Sequence, residues 1–94
     1  MCLLGVKKMP EIKYFVTYGT WRPEHQGTEG IQKAMQEWSK KVEEAGLKVL
    51  LWGAPYGVSE NAICVMKGTV ENYTKLTILQ APYSASRTNM VLAW

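Results

Sequence analysis

One histidine, one phenylalanine and two cysteines are all that this 94-residue chain offers of those types, and that scarcity excludes much. Cys2 and Cys64 stand in no spaced motif, so neither a zinc site nor a disulfide is expected, and a reducing compartment fits. No Gly-rich phosphate loop, nucleophile elbow or paired-carboxylate motif occurs, and no cofactor or metal is expected. No apolar run reaches the roughly 18 residues that a membrane span requires. The opening Met1–Lys8 is too short for a signal peptide, and its charges follow the apolar part. The expected location is cytoplasmic, with no membrane partner. Basic residues exceed acidic ones only by 11 to 8, and Lys7-Lys8 and Lys40-Lys41 are the only basic pairs. Nucleic-acid binding needs a denser basic stripe, so no nucleic-acid partner is expected.

What the chain does have is apolar and aromatic bulk: 47% hydrophobic residues, with four tryptophans and five tyrosines. Large aromatics suit a core, a pocket or a subunit interface. The length fits one small domain, read here over residues 11–94 behind a flexible tail over residues 1–10, with Met9-Pro10 as an alternative translation start.

Residues 12–21 alternate large groups on both sides. Tyr14, Val16, Tyr18 and Thr20 face one way; Phe15, Thr17, Gly19 and Trp21 face the other. A strand apolar on both sides is a central strand. A loop follows, punctuated by Pro23 and Gly27. Thr28 is then read as the cap of a helix over residues 29–45, whose stripe is Ile31, Ala34, Met35, Trp38, Val42 and Ala45. Gly46 stops this helix. Strands over residues 47–53 and 61–68 form an antiparallel hairpin across a Pro55/Gly57 turn region. A second helix is expected over residues 70–80, then a polar loop over 83–87 and a fourth strand over 88–94.

The order strand-helix-strand-strand-helix-strand predicts an α+β chain of ferredoxin-like βαββαβ type, with a four-stranded antiparallel sheet and two helices on one face. The other sheet face would then carry a large apolar patch, and a homodimer packed sheet to sheet removes it. With Phe15-Val16-Thr17-Tyr18-Gly19-Thr20-Trp21 in strand one and Trp52-Gly53 closing strand two, the chain resembles the dimeric α+β barrel proteins over residues 11–94. It is most similar to the small uncharacterised domains of that superfamily. The resemblance implies a dimer and a small-molecule pocket between sheet and helices. The wider group includes cofactor-independent oxygenases, isomerases, haem-binding enzymes and ligand-sensing domains.

His25 is the candidate catalytic residue, because imidazole transfers protons near neutral pH. A solvated loop histidine is the commoner arrangement. Trp21, Arg22, Trp52, Tyr56 and Tyr73 are the candidate ligand-binding residues: indole walls, a guanidinium beside a strand end, and phenolic donors. Arg22 and Arg87 are expected at opposite ends of the sheet, on the expectation that strands one and four run parallel. The function read from these features is binding of a small molecule between sheet and helices. The alternative is a cofactor-independent monooxygenase or isomerase with His25 as acid–base group.

Overall fold

The computed structural model describes residues 11–93, with side chains from residue 12 onward. The tail expected over residues 1–10 and the strand end expected at Trp94 lie outside the described residues. The elements are β1 (Glu11–Trp21), α1 (Gly27–Glu44), β2 (Lys48–Gly53), β3 (Ala62–Lys67), α2 (Val70–Thr74), a 3-10 turn (Lys75–Ile78) and β4 (Tyr83–Ala93). The strands form one antiparallel sheet in the order β2-β3-β1-β4, so the chain is of α+β class.

β1 is the central strand its composition predicts. It pairs with β3 on one side and along nearly its whole length with β4 on the other. Phe15, Thr17, Gly19 and Trp21 are all buried on one face. Ala62, Cys64 and Met66 of β3 are buried with them, and α1 closes over this surface with Ala34, Met35, Trp38 and Val42. Leu76 of the 3-10 turn completes the cluster, and the Tyr73 ring stacks on Phe15 at 4.5 Å with planes 5° apart. Among the described residues, no helix covers the opposite sheet face. There Tyr14, Val16, Tyr18, Ile63 and Val65 are half-buried, while Leu51 is 58% and Val91 40% exposed.

The end of α1 follows its sequence. Gly46 takes φ +96°, the Leu47 amide donates to the Val42 carbonyl (3.2 Å), and the Gly46 amide donates to Glu43 (3.0 Å). These two bonds are the Schellman pattern, and Leu47 and Val42 are both buried beside it. The start of α1 differs. The helix begins at Gly27 with Gln26 as its cap residue, and no side chain caps it. Gln26 instead donates its side-chain amide to the Pro23 carbonyl at 2.8 Å.

Three other expectations are corrected. The second helix is one turn of α-helix followed by 3-10 turn. Thr74 and Thr77 each donate their hydroxyls three residues back, to Glu71 and Thr74 carbonyls. Such back-bonding, with low helix propensity at these positions, ends the α-geometry early. β4 begins at Tyr83, not at residue 88. Its first half is polar because it lies at a sheet edge, where apolar alternation is not required. Finally, β1 and β4 are antiparallel, so the end of β1 meets the start of β4. The Arg22 amide donates to the Pro82 carbonyl at 3.1 Å, and Arg87 lies within β4 opposite Tyr18.

Where β4 begins, the Tyr83 ring lies directly on the Gly19 backbone. A Cβ at Gly19 would meet two ring carbons of Tyr83 at 2.6 Å. Tyr83 also packs against Trp21, with centroids 5.3 Å apart, and its hydroxyl reaches Met35 Sδ at 3.8 Å. Gly19→Ala is therefore expected to cost about 1–3 kcal/mol in urea unfolding, the usual penalty of overpacking. In a Tyr83→Ala background the same substitution should cost well under that, since the clash has been removed.

Candidate functional site

Three cavities among the described residues are lined by all of the candidate residues except Tyr56. The first lies between the sheet and the α2/3-10 segment and holds about 240 Å³. Trp38, Met66, Leu76, Leu79, Ala81 and Tyr83 supply its apolar walls. Its polar groups are hydroxyls: Thr17, Tyr73, Thr77, Ser86 and Thr88. The Tyr73 hydroxyl donates to Thr88 Oγ1 at 2.7 Å, and Thr88 Oγ1 lies 2.9 Å from Thr17 Oγ1. The register places this chain of hydroxyls: Thr17 opposes Thr88 on the helix-covered face, and Tyr73 reaches them while its ring stacks on Phe15. Among the described residues, no carboxylate, histidine or cation lines this chamber.

The second cavity, about 200 Å³, is charged. Arg22, Glu24 and His25 border it from the turn after β1, Glu37, Trp38 and Lys41 from α1, and Gln80, Ala81 and Pro82 from the approach to β4. The turn is closed by the His25 amide, which donates to the Arg22 carbonyl at 2.9 Å. Arg22 is fixed by its Nε, which donates to the Ala81 carbonyl at 2.9 Å. Trp38 and Ala81 line both this cleft and the hydroxyl chamber, so the two are neighbours. His25 is half-buried and borders the charged cleft only.

The third cavity, about 220 Å³, brings Trp21 and Trp52 together at the ends of β1 and β2, with Ile31, Thr28 and Gln32 of α1. Asn61 adds an amide whose Oδ1 accepts from the Trp21 backbone N–H at 3.0 Å. Tyr56 is 99% exposed in the β2–β3 connection and lines none of these three cavities. Among the described residues no cluster of three or more His, Cys, Asp or Glu is able to hold a metal ion.

Thr17, Ser86 and Thr88 were not picked out by the sequence. One signal existed: Thr17 is a polar residue on the buried side of β1, and a buried hydroxyl demands a partner. In the sequence Thr88 reads as a strand start and Ser86 as loop, so neither partner is visible there. Cys64 is buried within the core, and burial pushes its thiol up to about 11, which leaves it unreactive. Burial likewise pushes the Tyr83 phenol well above its ordinary range.

On the uncovered sheet face one ion pair stands out. Arg87 donates its Nε to Glu60 at 2.6 Å and an Nη to the other carboxylate oxygen at 3.3 Å, while its guanidinium carbon sits 4.5 Å from the centroid of the Tyr18 ring. Arg22 and Arg87 thus serve different partners and form no shared clamp.

No family model, curated protein or solved structure matches the chain, so its chemistry rests on its own residues.

The Arg87 bond holds the Glu60 carboxyl below its ordinary value of 4.5. A depressed folded-state value means that Glu60 contributes stability that is fully present above pH 4.5 and lost as pH falls through the lower folded value. Glu60→Gln should therefore be less stable than the parent at pH 7, with the difference shrinking to nothing in strong acid. Carboxyl NMR titration should show Glu60 moving upward in Arg87→Gln.

Proposed function

We propose that this chain is a non-catalytic, ligand-binding module of ferredoxin-like type that holds a small uncharged molecule in the hydroxyl-lined chamber and works as a sheet-to-sheet homodimer. The chamber carries the reading. It combines apolar walls with convergent hydroxyls, the usual composition of a small-molecule site. A buried charged ligand would need a charged partner, and none lines the chamber. Its volume is below the roughly 300–1,000 Å³ of drug-sized sites, so its occupant is smaller.

The element order and the strand order β2-β3-β1-β4 support the ferredoxin-like reading. The uncovered sheet face supports the dimer. Leu51, Ile63, Val65, Val16, Tyr14 and Val91 follow one another across four paired strands, and Lys48, Lys67, Asn89 and the Arg87–Glu60 pair edge them. An apolar centre with a polar rim is the anatomy of a subunit interface. The rival reading, a cofactor-independent monooxygenase or isomerase, has less support, because His25 borders the charged cleft and not the chamber. The absence among the described residues of any helix long and apolar enough to cross a membrane is compatible with the expected cytoplasmic location.

Phenol and benzoate are suitable probes of the chamber, being similar in size and different in charge. Phenol at millimolar concentration should perturb the NMR signals of Thr17, Tyr73 and Thr88, and benzoate should leave them unchanged. Equal perturbation by both, or by neither, rejects a neutral-ligand chamber. For the dimer, sedimentation at micromolar concentration should give twice the chain mass of 10.6 kDa. Leu51→Asp should give a monomer with unchanged circular dichroism, since this side chain is 58% exposed within one subunit. A parent protein that sediments as a monomer overturns the dimer.

A further inference from the structure

The charged cleft after β1 has a composition that neither its neighbours nor the chamber explains. Two cations, Arg22 and Lys41, and two anions, Glu24 and Glu37, border a space of about 200 Å³. Glu37 and Lys41 stand one turn apart on α1, a spacing that favours an ion pair. Yet no ion pair joins any of the four among the described residues. Arg22 is also held in place. Its backbone N–H and its Nε are both committed to the 81–82 segment, which orients the two terminal guanidinium nitrogens without using them. Trp38 and Pro82 add apolar surface to the same lining.

We propose that this cleft binds a free α-amino acid with an apolar side chain, as its zwitterion. The planar guanidinium fork matches a carboxylate, and Lys41 adds positive charge beside it. The carboxylates of Glu37 and Glu24 accept hydrogen bonds from the ammonium group. The apolar side chain lies against Trp38 and Pro82. A simple anion meets the repulsion of two carboxylates, and a simple cation that of Arg22 and Lys41. A ligand carrying both signs finds a partner for each among the lining residues. This site is distinct from the neutral chamber, and its existence does not depend on what the chamber holds.

L-leucine, L-leucinamide and N-acetyl-L-leucine separate the possibilities, because the amide keeps only the ammonium and the acetyl derivative only the carboxylate. In NMR titrations of the whole chain, L-leucine should shift Arg22, Glu37 and Trp38 saturably, and each analogue should bind at least about tenfold more weakly. Arg22→Gln and Glu37→Gln should each weaken L-leucine by about tenfold or more. Glu37 is an exposed helix position, so its variant folds even if loss of the Arg22–Ala81 bond disturbs the other. Lys33→Gln, a charge on α1 outside the cleft, should change nothing. No saturable shift up to about 10 mM overturns the proposal. So does equal binding of either analogue, or an unchanged affinity in Glu37→Gln.

Discussion

The structure depends on β1 being paired on both sides at once. Its eleven residues are held between β3 and β4, and a one-residue slip on either side would turn Phe15, Thr17 and Trp21 away from the helices. The register shift between Thr20 and Trp21 brings Tyr83 onto the same face as Trp21, where its ring rests on Gly19. That contact fixes where β4 begins, and hence where the 79–82 segment passes. The same segment forms the shared wall of the chamber and the charged cleft through Ala81. The ring–glycine contact thus lies immediately after the segment whose Ala81 both cavities share.

Much of the fold was legible in the sequence because apolar spacing reports burial directly. The stripe Ala34, Met35, Trp38 and Val42 is the buried face of α1, Gly46 ends that helix, and the alternation in β1 gives its two faces. What was not legible depends on partners distant in sequence. The first half of β4, Tyr83-Ser84-Ala85-Ser86-Arg87, has the composition of a loop, and only the free edge of β1 makes it a strand. The truncation of α2 was half visible in its threonines, but apolar spacing alone extended the helix to residue 80. The relative direction of β1 and β4 is set by the segment after β3, which crosses back over the sheet so that β4 runs in the same sense as β3 and opposite to β1.

The candidate residues fared according to how far each depended on tertiary placement. Trp21 and Trp52 meet because β3 lies between their strands and α1 bridges the gap, which no spacing rule reveals. Tyr73 does reach a cavity, through a phenol directed at a threonine fifteen positions along the chain. Tyr56 was chosen for its type alone, and the Pro55/Gly57 turn carries it into solvent. Arg22 and His25 adjoin each other as their sequence proximity requires, yet they face a cleft and not the chamber.

That division bears on the chemistry open to the chain. A general base must lie within hydrogen-bond reach of the proton it removes. Among the described residues, the polar side chains that line the chamber with its apolar walls are hydroxyls, and the chain from Tyr73 through Thr88 to Thr17 consumes part of their bonding capacity internally. Tyr83, whose burial disfavours its phenolate, adds no base. Such a lining combines apolar surface with hydroxyls that are partly bonded to one another. The charged cleft has the opposite character: groups of both signs, accessible to water, with His25 at its margin. Of these, Arg22 is held by the Ala81 carbonyl, while Glu24, Glu37 and Lys41 are exposed and join no ion pair among the described residues. The hydroxyls of one site and the charges of the other are thus kept apart, with Trp38 and Ala81 lining both.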